Sequence, residues 1–220
     1  MPRSVKSPGG PAVATQLANI GREFHMRGWA LGTSGNYSAV IKRNPQRLLI
    51  TSSGLDKSQL SARNFLELDE RGQVIAGHGR PSAETFLHLA VVAAREAGCV
   101  LHTHSVWSTL LSERYEPQGG LAISGYEMLK GLEGVKTHLH REWIPIFPNN
   151  QDIPALTQEV AAELARDPAT HGFLLGGHGL YTWGEDLAQA RRHVEIFEFL
   201  FEVTGRRELS STRDRSSPTQ

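Results

Sequence analysis

Ten histidines in 220 residues are the main chemical resource of this chain, and three of them stand where one cation can be held. His102 and His104 sit two apart at the end of the run Cys-Val-Leu-His-Thr-His. In a strand alternate residues share a face, so both imidazoles project to one side and Thr103 to the other. Two ligands of one divalent ion need that arrangement. His138 and His140 repeat the spacing, but between Lys136 and Glu142 they are flanked by charge, where a solvated strand or loop is the plainer reading. Spacing does not separate the two pairs; the apolar run before His102 favours the first. His178, in Gly-Gly-His-Gly after the apolar Phe173–Leu175, offers a third ligand. Glycines on both sides let the backbone approach a neighbouring strand closely. His25, His88 and His193 fall in helical segments and His78 and His171 in loops, and all five read as structural.

Three neutral imidazoles leave a coordination position open, which marks a catalytic rather than a structural ion. Such an ion binds a carbonyl oxygen and a neighbouring hydroxyl together. It lowers the cost of removing the proton between them, because the enediolate charge falls on oxygens that the ion holds. A carboxylate is needed as partner base. Glu84 in Pro-Ser-Ala-Glu and Glu127 in Gly-Tyr-Glu-Met-Leu-Lys-Gly are the candidates, both of a residue type that usually lies in solvent.

Three segments have the composition of an anion cradle. Gly32-Thr-Ser-Gly-Asn36, Thr51-Ser-Ser-Gly54 and the helix start at Ser82 offer backbone N–H groups and hydroxyls without bulk. A phosphate is the natural guest. Each segment alone is an ordinary turn signal; three of them beside a metal site say more. Lys57 reads as a solvated loop lysine that adds charge at most.

These residues need a scaffold. Val13, Leu17, Ile20 and Phe24 recur at helical spacing, so a helix is expected over 12–27 with its stop at Gly28. Short strands are expected at 36–42, 47–52, 65–69 and 73–76, divided by turns at Asn44-Pro45, Ser53-Gly54 and Arg71-Gly72. A helix follows over 82–97, with Ser82 as its N-cap and Gly98 as its close. Beyond the strand 99–104 come short helices from Ser105 and near 126–130, a strand at 143–147 and an amphipathic helix over 152–166. Strands at 172–177 and 179–184 and a last helix over 185–203 complete the order. Connections of hairpin length favour a mainly antiparallel sheet flanked by helices over a doubly wound parallel one. No dinucleotide or P-loop fingerprint is present.

Composition narrows the function further. Lys+Arg and Asp+Glu both number 23, and this neutral balance argues against a nucleic-acid binder or a polybasic membrane anchor. No apolar run reaches the ~20 residues of a spanning helix, and the first residues carry no signal-peptide core. Cys99 is the only cysteine, so a cytoplasmic protein is expected. One domain is expected over 12–205, with 1–11 a loose arm and 206–220 a polar, disordered tail.

Taken in order, GTSGN, SSGLDK, PSAE, the His-x-His pair and GGHGLYTWG resemble the class II aldolase/adducin-like family over about residues 12–205. Within it, GYEMLKG followed by PIFPNNQDI resembles the methylthioribulose-1-phosphate dehydratases of methionine salvage. The resemblance implies a three-layer α/β/α fold around a central, mainly antiparallel sheet, with homotetramers holding one Zn²⁺ per subunit. His102, His104 and His178 match the family's zinc-binding histidines. Asn36, Ser53, Gly54, Ser82 and Glu84 match positions that bind the sugar phosphate. Ala83 replaces the second serine of the aldolases' Pro-Ser-Ser-Glu, which removes one hydroxyl from a phosphate site. In the dehydratases the glutamate at the position of Glu127 is the acid/base. A class II aldolase or a pentulose-phosphate epimerase, which share the metal enediolate, is the alternative activity. Adducin-like interaction modules share the fold and are expected to lack the ligand histidines, which this chain keeps.

Overall fold

The computed structural model describes residues 10–215, with side chains for residues 10–210. Five helices are present among them: α1 (Gly10–Met26), α2 (Thr85–Arg95), α3 (Val106–Tyr115), α4 (Ile153–Arg166) and α5 (Leu187–Arg215). Strands β1 (Asn36–Arg43), β2 (Gln46–Thr51), β3 (Phe65–Leu68), β4 (Val74–Ala76) and β5 (Cys99–Thr103) precede β6 (Gly120–Ser124), β7 (Arg141–Phe147), β8 (Gly172–Leu175) and β9 (Gly179–Gly184). The described strands form one sheet in the order β4-β3-β2-β1-β5-β9-β8-β7-β6. Neighbours are antiparallel except β7 and β8, which run parallel with α4 as their crossover. The mainly antiparallel, helix-covered sheet expected from the sequence is therefore what forms. None of the helices is long and apolar enough to cross a membrane.

Both faces of the central strands are buried. On one face α2 and α4 pack over Leu48, Ile50, Val100 and Phe173. On the other, α1 and part of α5 cover Ala39, Leu49, Cys99 and Leu101, while Phe197, Leu200 and Phe201 of α5 pack on Ile144, Ile146 and Leu174. Strand β5 makes the alternation explicit: Cys99 and Leu101 join the α1 side and Val100 the α2 side. The period of two thus puts His102 beneath the α2–α4 layer and Thr103 toward α5.

Several boundaries differ from the sequence expectation. Helix α2 starts at Thr85, not at Ser82: the Ser82 Oγ accepts from the Glu84 N–H at 3.2 Å and its carbonyl accepts from Thr85 at 3.1 Å. Ser82 therefore closes a turn before the helix. The far end is closed by Glu96 in the left-handed region (φ 48°), not by Gly98. Strand β6 lies where no strand was expected. Finally, α5 continues to Arg215, through residues expected to belong to the tail. Long-range contacts hold this extension: Tyr115 donates to Glu208, Arg114 pairs with Glu208 at 3.0 Å, and Gly205 packs against the Trp107 ring. Helix α1 begins at Gly10, inside the arm expected over 1–11, while residues 1–9 and 216–220 lie outside the described residues.

Beneath β5, α5 carries a buried carboxyl group. Glu198 is 3% exposed; its Oε1 accepts from the Thr103 hydroxyl at 3.2 Å and its Oε2 has no partner. Burial pushes its pKa up to about 7. A raised carboxyl pKa costs stability as pH climbs from the unfolded value of 4.5 to about 7, and the loss is complete above that. Glu198→Gln removes the ionisation. Its stability relative to the parent should therefore rise by about 3 kcal/mol between pH ~4.5 and pH ~8. Urea unfolding at both pH values reads this directly, and an equal difference at both would refute it.

Candidate active site

The three histidines expected to act together do converge. His102 is the penultimate residue of β5, His104 follows the strand directly, and His178 sits in the β8–β9 turn. Their Nε2 atoms are separated by 2.7 Å (102 to 104), 3.1 Å (104 to 178) and 3.3 Å (102 to 178). Strand pairing fixes this approach. Asn36 and Tyr181 lie opposite His102 on the two flanking strands. Glycine makes it possible twice: a Cβ on Gly35 would stand 2.7 Å from the His102 carbonyl oxygen, and one on Gly179 only 2.0 Å from that of Thr103.

Two of the rings, His102 and His178, are oriented from behind. His102 Nδ1 donates to the Leu180 carbonyl at 2.9 Å, which leaves the Nε2 lone pair facing the other two rings. Its face stacks on Tyr181 at 3.9 Å, and Tyr181 stacks on Phe173. His178 Nδ1 lies 3.2 Å from the Asn149 Oδ1, and the Thr109 hydroxyl donates to the His178 carbonyl. Burial holds the pKa of His102 well below the usual histidine value, lowers that of His104 to about 3, and lowers that of His178 against the opposing pull of Glu84. All three rings are thus neutral near pH 7, the state that ligates. Neutral lone pairs turned on one another at such distances repel unless a cation lies between them. A tetrahedral ion with bonds of about 2.0–2.1 Å sets its ligands about 3.3 Å apart. The donor set fits a divalent cation.

Glu84 is the carboxylate at this cluster. Its Oε1 lies 3.3 Å from His178 Nε2 and 3.8 Å from His102 Nε2, while its Oε2 accepts from the Asn36 amide at 2.6 Å. Behind Asn36 the relay continues through the buried His88, whose Nε2 meets Asn36 Oδ1 and whose Nδ1 meets the Ser38 hydroxyl at 2.8 Å. Burial lowers the His88 pKa to about 3, so a neutral ring fixes Asn36, and Asn36 fixes Glu84. His88 was expected to be structural; its place behind Asn36 was not legible, because Asn36 meets residues 84 and 88 only through the fold.

Beside the cluster opens a cavity of about 540 Å³, with Ser53, Ser82, Glu84, His104, Asn149 and His178 on its wall. A recess lined by Gly35, Asn36, Gly54 and Lys57 shares Ser53, Ser82, Glu84 and His104 with it. The three segments expected to form an anion cradle therefore do adjoin the histidines. Lys57 corrects the sequence reading: it is 1% exposed rather than solvated. Its Nζ donates to the Thr33 and Leu55 carbonyls, both at 2.9 Å, and so ties the two loops together. Burial lowers its pKa to about 8, which leaves most of the charge at neutral pH.

Glu127 stands apart. It opens a short 3-10 turn (Glu127–Gly131), is 71% exposed, and pairs with Lys130 and, at 3.8 Å, with His138. It is not on the wall of either recess.

Comparison with known proteins bears on the family and the fold. A relative from Marinobacter nauticus named methylthioribulose-1-phosphate dehydratase is 45% identical over 92% of this chain and 95% of its own. One of the same name from Sodalis glossinidius is 47% identical over 88% and 96%. Among solved structures, YgbL of Klebsiella pneumoniae superposes with a TM-score of 0.76 at 25% identity over 89% of each chain. An L-fuculose 1-phosphate aldolase does so at 0.74 and 20% identity, over 94% of this chain and 89% of its own, a likeness of fold. Residues 15–204 match the family model described as class II aldolase and adducin N-terminal domain, and the chain belongs to that family.

Proposed function

We infer that the chain is a methylthioribulose-1-phosphate dehydratase, a hydro-lyase. It converts 5-methylthioribulose 1-phosphate to 2,3-diketo-5-methylthiopentyl 1-phosphate, a step of methionine salvage. One observation carries this reading: relatives of that name match at 45% and 47% identity nearly end to end. The imidazole cluster beside a hydroxyl- and glycine-lined recess supports it, because the reaction needs both an acidified carbon and a phosphate anchor.

His102, His104 and His178 are the proposed ligands of one Zn²⁺ per subunit. When bound there, a divalent cation would supply Lewis-acid polarisation of a carbonyl oxygen and the neighbouring hydroxyl oxygen, which acidifies the carbon that bears the hydroxyl. The remaining work falls to the chain. Ser53, Gly54, Ser82 and Asn36 line the phosphate recess, and Lys57 brings a positive charge to it. Glu84 has one oxygen held by Asn36 and the other directed at the cluster, so Oε1 is the proposed acceptor of the C3 proton. Glu127 is the proposed donor of the proton with which the C4 hydroxyl leaves as water. The enol that remains tautomerises to the diketone. Glu127 lines neither recess of its own chain, so this role needs a second copy to present it, in keeping with a homotetramer. A small sugar phosphate is the proposed partner, with no nucleic acid or membrane, in the cytoplasm.

The test is turnover of methylthioribulose 1-phosphate with and without a chelator. Formation of the diketone, lost with the metal and restored by Zn²⁺, is the expected result. Release of dihydroxyacetone phosphate from a ketose 1-phosphate, with no diketone formed, would move the assignment to an aldolase.

A further inference from the structure

The sequence places His138 and His140 two residues apart, and the fold sends them to different partners. His138 is exposed and faces Glu127. His140 turns to Glu142 at the start of β7, with Nε2 2.7 Å from Oε2. On the other side of that carboxylate stands His171, from the loop between α4 and β8. Its Nδ1 lies 3.0 Å and 3.1 Å from the two oxygens, and its backbone N–H donates to Oε1 at 3.2 Å.

Glu142 is 1% exposed, and among the described residues the only ion-pair partners it has are these two histidines. A buried carboxylate without an Arg or Lys beside it needs another source of positive charge. The geometry resembles a metal site in three respects. The three ligand atoms lie within 4.8 Å of one another. The far nitrogen of His171, Nε2, lies 2.8 Å from the Glu133 carbonyl oxygen, the backbone contact that orients a ligating imidazole and turns its other nitrogen to the ion. The cluster also opens to solvent: His140 and His171 line a groove of about 1160 Å³, which His193, Lys136 and Arg43 line as well. An ion therefore has a path in and a side left open for water.

We propose that His140, Glu142 and His171 form a second cation site, separate from the imidazole triad, for a divalent first-row transition ion. Two imidazoles and one carboxylate suit Zn²⁺, Co²⁺ or Fe²⁺ and are poor ligands for Ca²⁺ or Mg²⁺. The ion clamps the segment 133–140 to the start of β7 and to the loop that enters β8. This inference stands apart from the proposed activity, since none of its ligands belongs to the catalytic cavity.

Cobalt(II) titration of the metal-free full chain tests it, read by d–d absorption and by elemental analysis after desalting. Two Co²⁺ per chain are expected, falling to one in His140→Gln and to one in His178→Ala. His140 is partly exposed, so its replacement leaves the core intact; His171→Gln is the second probe. In a His102→Ala/His178→Ala background one Co²⁺ should remain, and adding His140→Gln should weaken it at least about 100-fold. If the triad held no metal, the parent would bind one Co²⁺, and His140→Gln rather than His178→Ala would abolish it. A parent whose single Co²⁺ survives both His140→Gln and His171→Gln overturns the proposal, and Glu142 is then neutralised by protons alone.

Discussion

His178→Ala should lose the cation of the imidazole triad and at least about 10³-fold of turnover, equivalent to about 4 kcal/mol of transition-state stabilisation. Two imidazoles remain in that variant, too few to keep an ion in a site that must also release product. His178 is a cleaner probe than His102. The His102 ring is fully buried, stacked on Tyr181 and bonded to the Leu180 carbonyl, so its removal leaves a hole in the sheet as well as a missing ligand. The His178 side chain is 16% exposed and sits in a turn. Thermal unfolding should therefore shift little in the metal-free state, while metal content, measured by elemental analysis, falls with turnover. Full turnover by a metal-free His178→Ala protein would remove the cation from the chemistry.

How much of this site could be read beforehand follows from how local each feature is. The His-x-His pair was legible because strand alternation alone puts both rings on one face. His178 was legible because glycines around a single histidine, after an apolar run, have few other uses. The cradle loops carry their own turn chemistry. What failed were the features that exist only between distant segments. The relay from Ser38 through His88 and Asn36 to Glu84 joins two strand residues to the start of a helix. Asn149 lies 29 residues before the ring it contacts. Lys57 was misread because lysine in a polar loop is nearly always solvated; here two carbonyls from separate turns replace the water. In the sequence His140 reads with His138 as a solvated pair and His171 as a structural loop residue, since the Glu142 between them takes its meaning from burial, and burial is not a local property.

The fold shows the same division. Alternation and turn residues located most strands, and the short connections anticipated antiparallel pairing. The tail failed in part because its sequence has no apolar face of its own. Residues 206–215 nonetheless continue α5, anchored through Glu208 to Arg114 and Tyr115. A helix already nucleated by a buried segment extends at little cost, so a polar continuation need not bury much to remain helical.

Glu127→Gln should lower turnover by about 10²–10⁴-fold with metal content unchanged, the usual worth of one general acid. The side chain's own surroundings make this a demanding prediction. Its hydrogen bond to Lys130, and then the charges of Lys130 and His138, hold its pKa below the ordinary glutamate value, so alone in solvent it is a carboxylate with no proton to give. It becomes an acid only where water is excluded and its partners are drawn away, as against the cavity of another copy of the chain. That requirement yields a second result. Glu127→Gln and His178→Ala, each nearly inactive, should regain activity when unfolded and refolded together. In a random equimolar mixture about a quarter of the sites would join an intact histidine cluster to an intact Glu127 from the neighbour. If Glu127 acted within its own chain, no site in the mixture would hold both groups and no activity would return. An unimpaired Glu127→Gln enzyme would instead leave Glu84, the one carboxylate already facing the three rings, to move both protons.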